Sequence, residues 1–536
     1  MPSTKKLLSV KSLGKRFPAA KTRLFQKERL YVTANEDVSF DIYEGETLGL
    51  VGESGCGKST LGRVLLGLYR QTSGSTLYYG RRLAEIAPVY VEAILTNAEK
   101  RVAVYRRLQA RAEQLSKSCH TSGDRATARE REDCRLAAEK RDRAFGTLVR
   151  LLGGFLSLDS CREGAVAILA AYRAEVQREG LLRLRREQER DAAALSEALA
   201  QSEDEARRAG LKKRLLRLQD GLRRLDGKIE RARCEAEVAA SALEALRGRY
   251  RENEEFTAFE ALRDDGIELS LLTPAEMRFL RCDLQIIFQD PYSSLNPRMT
   301  VGQSIEEGPV THGYFRRASP ALRDYTLDVM RECGLQAHAY HRYPHQFSGG
   351  QRQRVAIARA LAVKPKFVVC DECVSALDVS IRSQIINLLD DLKREEGLTY
   401  LFISHDLSVV RYISDRVGVM YLGHLVELGD TDAVFGDPRH PYTVALLSAI
   451  PTVEQAGAKR ERIFLKGHLP SPIKPPSGCQ FHTRCFMACE RCKTEAPPTV
   501  EVAPGHFVAC HRPERKIDGT GALLYREENV HPTLFE

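Results

Sequence analysis

The 536-residue sequence has no tryptophan, and it lacks the segments that would place it in a membrane or outside a cell. It contains no apolar run of the roughly 18 residues that a membrane-spanning helix needs. Its basic start, MPSTKKLLSVKSLGKRF, lacks the long hydrophobic stretch and the cleavage site of a secretory signal. We therefore expect a cytosolic chain, and its length and 43% apolar content suit about three folded domains.

A strong charge of one sign is also missing, because the net formal charge is only +9. That charge would suit nucleic acid or an anionic membrane surface, but we favour the simpler interpretation, ordinary solubility. The 14 cysteines of a cytosolic chain are expected to be thiols or metal ligands rather than disulfides. Five of them lie within residues 479–510, which sets this part of the chain apart.

Proline is absent between Pro88 and Pro274, although the chain has 22 prolines. Within this span, apolar residues recur in alternating steps of four and three, as in a coiled-coil seam. The seam comprises Leu211, Leu215, Leu218, Leu222, Leu225, Ile229, Ala232, Ala236, Ala239, Leu243 and Leu246. A weaker match lies upstream, between Leu95 and Leu115, and Gly153-Gly154 separates the two stretches. We predict an antiparallel helical hairpin; a loose helical bundle or a partly disordered charged insert are the alternatives.

A glycine-rich loop stands between a short apolar strand, TLGLVG (47–52), and an amphipathic helix, STLGRVLLGLY (59–69). The loop fits the P-loop pattern G-x-x-x-x-G-K-[ST], whose backbone N–H groups cradle phosphates. Lys58 is expected to reach the β- and γ-phosphates, and Ser59 to bind Mg²⁺. The predicted nucleotide-binding residues are Gly52, Glu53, Ser54, Gly55, Cys56, Gly57, Lys58, Ser59 and Thr60.

Two carboxylates follow a second apolar strand, Phe367-Val-Val-Cys-Asp371-Glu372. Asp371 can hold magnesium through water, and Glu372 can polarise the attacking water as a general base. An Asp-Glu pair after a strand is commonplace alone, but a P-loop in the same chain makes it far more specific.

Further motifs stand in the order found in ABC-type ATPases. Phe347-Ser348-Gly349-Gly350-Gln351 resembles the family signature, and Ser375-Ala376-Leu377-Asp378 resembles the D-loop. Gln289 is similar to the Q-loop glutamine, and His405 in FISHD to the switch histidine, although a lone histidine could equally be a core residue. Tyr31, with Phe25 as a rival, is a candidate for stacking on adenine, and a merely buried Tyr31 is the alternative.

This resemblance implies an α/β fold and a set of site residues. An ABC-type P-loop ATPase domain would comprise residues 1–82 and 272–430, interrupted by a helical insertion (83–271) and followed by a C-terminal module (431–536). The implied catalytic residues are Glu372, His405, Gln289 and Lys58, and the implied Mg²⁺ ligands are Ser59, Gln289 and Asp371. The signature residues Ser348, Gly349, Gly350 and Gln351 would act in trans, on ATP held by a second ATPase subunit.

One position departs from the family pattern, because Cys373 stands where proline usually follows the catalytic glutamate. With Cys370 it forms the sequence C-D-E-C. A redox switch or a metal site is one interpretation. The other is that Cys370 is a small buried strand residue and Cys373 a tolerated substitution.

Two stretches resemble the ATPase subunits of oligopeptide/dipeptide importers: QDPYSSLNPRMTVG (289–302) and RHPYTVALLSAIP (439–451). The resemblance implies peptide import through separate membrane permease subunits, at the cytoplasmic face of the inner membrane. An extracytoplasmic peptide-binding protein would take part indirectly. The pairing of ATPase subunits could be like with like or with a sister subunit.

Four cysteines of the C-terminal cluster have the spacing C-x5-C-x6-C-x17-C, and four thiolates can surround one soft metal centre. Iron–sulfur, zinc and free thiols are all compatible with this spacing. The resemblance implies a [4Fe–4S] cluster on Cys479, Cys485, Cys492 and Cys510, with Cys489 as a bystander.

The predicted coiled coil also allows a rival interpretation, an SMC-type or DNA-repair ABC ATPase acting on nucleic acid. In that class the coil follows the Q-loop, whereas here it precedes Gln289, and the HPYTVALLSAIP stretch has no counterpart. A ribosome-acting ABC protein would carry two ATPase heads, and only one P-loop and one signature occur here. We therefore favour the importer, with ATP and Mg²⁺ as its ligands, and regard nucleic acid as the weaker partner.

Overall fold

The computed structural model describes residues 5–19, 30–122, 127–449 and 463–513. The chain divides into two compact units. The first, Met1–Gly80 with Met277–Glu536, is called the sheet unit below, and the second, Arg81–Glu276, the helical unit. The domain boundaries expected from the sequence stay predictions.

The strands lie in the sheet unit, apart from the two-residue strand Ile267–Glu268 in the helical unit. The strands in chain order are β1 (Lys6–Pro18), β2 (Tyr31–Tyr43), β3 (Thr47–Val51), β4 (Ser73–Tyr78), β5 (Ile267–Glu268), β6 (Leu284–Ile287), β7 (Phe367–Asp371), β8 (Thr399–Ile403), β9 (Arg416–Tyr421), β10 (His424–Asp430), β11 (Thr499–Ala503) and β12 (His506–Ala509). Every residue of β3, β7 and β8 is buried, as expected for parallel strands covered on both faces.

An eight-stranded sheet positions the site, in the order β11-β12-β10-β9-β3-β8-β7-β6. β3 pairs in parallel with β8 and β9, and β7 pairs in parallel with β6 and β8. The carboxyl ends of β3, β6, β7 and β8 therefore meet at one edge, where ligands of open α/β sheets bind. A smaller antiparallel sheet has β1 between β2 and β4.

Helices carry the rest of the regular structure. They are α1 (Lys58–Leu65), α2 (Leu83–Ile86), α3 (Val89–Thr96), α4 (Ala98–Ser122), α5 (Ala128–Leu152), α6 (Arg162–Gln201), α7 (Glu205–Gly248), α8 (Glu254–Glu260), α9 (Pro274–Leu280), α10 (Pro291–Ser294), α11 (Val301–Thr311), α12 (Pro320–Glu332), α13 (Gly349–Leu361), α14 (Val379–Glu396), α15 (Leu407–Ile413), α16 (Thr431–Gly436), α17 (Pro441–Leu447) and α18 (Glu490–Thr494). Short 3-10 segments occur at Gly153–Leu156, Leu269–Leu271, Ala337–His341 and Pro344–Gln346. In the described residues, no helix is long and apolar enough to cross a membrane.

The helical unit contains two antiparallel helix pairs, α4 with α5 and α6 with α7. The seam predicted from the sequence lies on α7, but α7 pairs with α6 and not with the upstream stretch between Leu95 and Leu115. The turn lies at residues 202–204, where the Asp204 carboxylate accepts hydrogen bonds from Ala206 and Arg207 and caps α7. The weaker upstream stretch pairs instead with α5, which has no comparable seam in the sequence.

Apolar packing of the helical unit is concentrated at the base of the α6–α7 hairpin. Phe155, Tyr250 and Phe256 form an aromatic cluster there, with ring centroids 5.3 to 6.2 Å apart. A side chain at Gly154 would overlap the Phe256 ring, because its Cβ would lie 2.6 Å from ring atoms. Farther out, the helices are joined by exposed ion pairs such as Arg185–Asp226, 2.8 Å apart.

Candidate active site

The P-loop follows β3 and wraps the start of α1. Gly52, Gly55 and Gly57 have φ angles of 150°, 83° and 100°. A Cβ at Gly52 would lie 2.2 Å from the Met420 carbonyl oxygen, so glycine is required for space as well as for conformation. Lys58 is buried, and its Nζ donates to the carbonyl oxygens of Gly52 (2.8 Å) and Glu53 (3.1 Å). The loop is a cradle with its cation directed inward.

Asp371 lies beside the first turn of α1, although 312 residues separate it from Ser59. The Ser59 Oγ donates to Asp371 Oδ1 at 2.5 Å, and Arg63 Nη2 lies 3.5 Å from the other carboxylate oxygen. A hydroxyl paired with a carboxylate at a P-loop is the ligand set that Mg²⁺ takes with a nucleotide. These two residues would hold the ion and leave its remaining positions to phosphate and water.

Glu372 contacts two polar side chains, Gln289 and His405, that follow neighbouring parallel strands. Gln289 Nε2 donates to Glu372 Oε2 at 2.8 Å, and His405 Nδ1 lies 3.3 Å from the same oxygen. Gln289 follows β6, Glu372 follows β7 and His405 follows β8, so the sheet order explains the convergence. His405 keeps more than half of its side chain exposed, which fits a switch residue better than a core histidine.

The loop after Glu372 keeps an ordered turn with cysteine in place of proline. Glu372 has a φ of 50°, and its carbonyl accepts hydrogen bonds from the backbone N–H (3.2 Å) and hydroxyl (2.9 Å) of Ser375. Cys370 and Cys373 are both buried. A hydrogen bond with Cys373, together with burial, raises the pKa of the Cys370 thiol well above its ordinary value. Two buried, packed thiols support the interpretation as small core residues.

Signature residues begin α13, and most of them are exposed in this chain. Ser348 caps the helix in a capping box, in which its Oγ accepts from Gln351 N and its N–H donates to Gln351 Oε1. Ser348, Gly349 and Gln351 are exposed, whereas Gly350 is buried, where a Cβ would lie 2.4 Å from Ile381. The exposed start of a 13-residue helix is available to an anion brought by another molecule.

Tyr31 begins β2 and is 44% exposed, so the alternative of a merely buried tyrosine is wrong. Its rival, Phe25, lies outside the described residues. The adenine-stacking role of Tyr31 stays a prediction.

Sequence reasoning missed a contact between the P-loop and the C-terminal cysteine-rich part. Arg484 donates from Nη1 and Nη2 to the two carboxylate oxygens of Glu53, at 2.7 and 2.9 Å. The Glu53 backbone N–H donates to the Tyr442 hydroxyl at 2.8 Å. Nothing in local spacing could reveal pairs that are 431 and 389 residues apart. The sequence offers one weak signal: Arg484 directly precedes the predicted metal ligand Cys485, and Tyr442 lies in the family-like stretch RHPYTVALLSAIP.

Four predicted metal ligands, Cys479, Cys485, Cys492 and Cys510, line one cavity of about 20 Å³. Burial raises the pKa of the Cys485 thiol to about 12 and that of Cys510 to about 11. Cys489 Sγ lies 3.4 Å from Cys492 Sγ. The donor chemistry fits a soft metal, but no three His, Cys, Asp or Glu side chains in the described ranges are arranged to hold an ion.

Comparisons with known proteins identify the family of this chain. A family model described as "ABC transporter" matches residues 35–215 and 242–375, more than half of the chain. A second model, described as "Oligopeptide/dipeptide transporter, C-terminal region", matches residues 426–492.

Similar curated proteins carry corresponding names. The putative oligopeptide transport ATP-binding protein YkfD and the oligopeptide transport ATP-binding protein AppF, both of Bacillus subtilis (strain 168), are 52% identical over 248 residues. Each alignment covers 46% of this chain and 75% of the relative. The probable peptide ABC transporter ATP-binding protein y4tS of Sinorhizobium fredii is 51% identical, with 46% and 69% covered. Together with the P-loop, the Glu372 cluster and the signature helix, these matches show that the chain belongs to the ABC transporter ATPases of the oligopeptide/dipeptide transporter family.

Proposed function

We propose that this chain binds and hydrolyses ATP to power peptide import through separate membrane permease subunits. The observation that carries the proposal is the convergence of Gln289 and His405 on Glu372, beside a P-loop whose Ser59 contacts Asp371. The match of residues 426–492 to the oligopeptide/dipeptide transporter C-terminal region supports peptides as the cargo. No comparison supports the nucleic-acid alternative.

Hydrolysis needs a water molecule activated next to the γ-phosphate, and the cluster around Glu372 supplies the base. The carboxylate accepts a proton from that water, while Gln289 and His405 fix its orientation from two sides. Mg²⁺, held by Ser59 and, through water, by Asp371, would neutralise charge on the phosphates, and Gln289 is a further expected ligand. The Lys58 ammonium is placed to pair with the β- and γ-phosphates.

Two heads would be needed for a complete site. The exposed start of α13 presents Ser348, Gly349 and Gln351 to solvent within one chain, so its natural anion is the γ-phosphate on a second ATPase subunit. ATP would join two heads and hydrolysis would separate them, which moves the attached permeases between two states. The partners are thus a second ATPase subunit and membrane permeases at the cytoplasmic face of the inner membrane, with a peptide-binding protein acting indirectly.

A Glu372→Gln variant tests this function. It keeps the shape of the side chain but not the base, so ATP turnover should fall at least about 100-fold while ATP binding and ATP-dependent dimerisation persist. Glu395→Gln, an exposed change on α14, is the matched control. Turnover, retained nucleotide and light scattering are measured with ATP and Mg²⁺. A variant that neither retains nucleotide nor dimerises contradicts the proposal, as does co-purification with nucleic acid instead of permeases.

We also propose a [4Fe–4S] cluster on Cys479, Cys485, Cys492 and Cys510, with Zn²⁺ as the alternative. Support comes from the four thiols, which line one cavity. Iron, sulfide and zinc contents of anaerobically purified protein test it. Cys492→Ser should remove the metal, whereas Cys234→Ser, an exposed change on α7, should not. Wild-type protein purified without iron or zinc would contradict both the [4Fe–4S] and the Zn²⁺ proposals.

The α6–α7 hairpin is proposed to be a short antiparallel coiled coil. Its support is the a/d spacing on α7 together with burial of Leu225, Ala232, Leu243 and Leu246.

A further inference from the structure

Arg484 belongs to the tight chain segment of the cysteine cavity, yet its side chain ends on the P-loop. Its backbone N–H donates to the Phe481 carbonyl at 3.0 Å, within the turn between Cys479 and Cys485. Two of the residues in this turn, Cys479 and Cys485, line the cavity. The backbone that sets their positions therefore also sets the position of the Arg484 side chain.

The guanidinium of Arg484 has little freedom. Its side chain is only 8% exposed, and it pairs with Glu53 through two parallel hydrogen bonds of 2.7 and 2.9 Å. The Tyr421 ring lies 5.9 Å from the guanidinium carbon, and the Tyr421 hydroxyl lies 3.5 Å from Nη1. Bidentate pairing of a planar fork with a carboxylate fixes orientation as well as distance.

Glu53 is held at three of its groups as a result. Its carboxylate pairs with Arg484, its backbone N–H donates to the Tyr442 hydroxyl at 2.8 Å, and its carbonyl oxygen accepts from Lys58 Nζ at 3.1 Å. Tyr442 in turn packs against Phe481 and Tyr421, with centroids 5.3 and 4.8 Å apart. The side of the P-loop that bears Glu53 is thus fixed by residues that adjoin the cysteine cavity.

Charge gives this arrangement a direct consequence for nucleotide binding. An unpaired carboxylate on the P-loop would repel the phosphates of ATP, and the Arg484 cation neutralises it. We propose that Arg484 is a positioning residue that couples the cysteine-rich module to nucleotide affinity by neutralising and orienting Glu53. This inference rests on the proposed ATPase function, and it assigns the module a role in ATP binding in addition to any metal that it holds.

Steady-state kinetics with Arg484→Gln is the first test. We expect KM for ATP to rise about tenfold with kcat within about twofold, because the base at Glu372 is untouched. Adding Glu53→Gln should recover part of the loss, because it removes the unpaired charge, and the remaining increase in KM then measures the orienting role alone. Arg491→Gln, which breaks an exposed pair with Glu495 in the same module, is the matched control and should not change KM.

Hydrogen exchange supplies a readout that does not depend on turnover. In wild-type protein, adding ADP should slow exchange in peptides covering residues 479–485, since coupling between two sites is reciprocal. In Arg484→Gln the same peptides should not respond, and P-loop peptides should exchange faster. Equal KM values for wild type and Arg484→Gln, or an ADP response that survives the substitution, would overturn the inference. Failure of wild-type protein to bind ATP would instead overturn the proposed function.

Discussion

The two units of this chain are stabilised in different ways. In the sheet unit, the proposed hydrolysis residues Ser59, Gln289 and His405 contact carboxylates far along the chain, and these contacts lie at the edge of a buried sheet. In the helical unit, only five residues of the 44-residue α7 are buried, and its outer part is joined to α6 by exposed ion pairs. Exposed ion pairs contribute little stability. We therefore expect single substitutions to have large effects in the sheet unit and small effects in the outer part of the α6–α7 hairpin.

The largest effect is expected where the sheet unit holds a buried cation. Lys58→Ala should lower ATP hydrolysis by at least about 100-fold, because it removes the charge placed for the β- and γ-phosphates. Turnover and binding of a fluorescent ATP analogue measure it, and Lys11→Ala, an exposed change on β1, is the control. Unchanged nucleotide binding would remove the P-loop from the proposed mechanism.

Within the helical unit, the largest effect is expected from truncating a buried side chain at the base of the α6–α7 hairpin. Phe256 is 2% exposed, so Phe256→Ala should destabilise this unit by about 3 to 5 kcal/mol. Hydrogen exchange of peptides from residues 162–248 localises the loss. Leu262→Ala, at a position that is 50% exposed, should change the same peptides little. Similar effects from both substitutions would show that the base is not a packed core.

Acid should weaken the sheet unit through His424. Burial lowers the pKa of this histidine below its ordinary value of about 6.5, although Glu36 and Asp37 oppose the shift. The unfolded chain then takes up a proton that the folded chain resists, so stability falls as the pH drops below about 6.5. His424→Gln should flatten this decline, by at most about 1.4 kcal/mol per pH unit, in denaturant titrations at pH 7.5 and 5.5. Parallel declines in both proteins would contradict the assignment.

The smallest effect on catalysis is expected from shortening the hairpin. Arg185 faces Asp226 across the two helices, so residues 186–225 can be replaced by a short Gly/Ser linker at a point where the ends already meet. ATP hydrolysis should stay within about twofold of wild type, because all proposed catalytic residues lie in the sheet unit. A large loss of turnover would show that the outer hairpin serves the ATPase directly.

The two units also differ in how much of their structure could be predicted from the sequence. Strands β3 and β7 and helix α1 were predicted from apolar pattern, and the structure confirms them, because each has a local signal. The residues around Glu372 were predicted individually from motifs, and the sheet order then brings them together. The Arg484–Glu53 pair was not predictable, since its geometry depends on how the C-terminal segment folds back over the P-loop.

In the helical unit the periodicity located α7 but not its partner. The charged, weakly patterned α6 spans Arg162–Gln201, and nothing in its sequence distinguishes it from the upstream stretch as the mate of the seam. A glycine pair often indicates a turn, but Gly153-Gly154 begins a 3-10 segment. Gly154 packs so closely against the Phe256 ring that no side chain would fit there. Local rules therefore did not identify the helix that packs against the seam, because tertiary contacts decide it.

The antiparallel course of α6 and α7 has one more consequence. Glu163 near the start of α6 lies 3.4 Å from Arg249 just beyond the end of α7, so the rod leaves and returns at the same place. Equal numbers of residues can be added to or removed from α6 and α7 while the Glu163 and Arg249 ends stay together. The length of the α6–α7 hairpin can therefore change without moving its two ends apart.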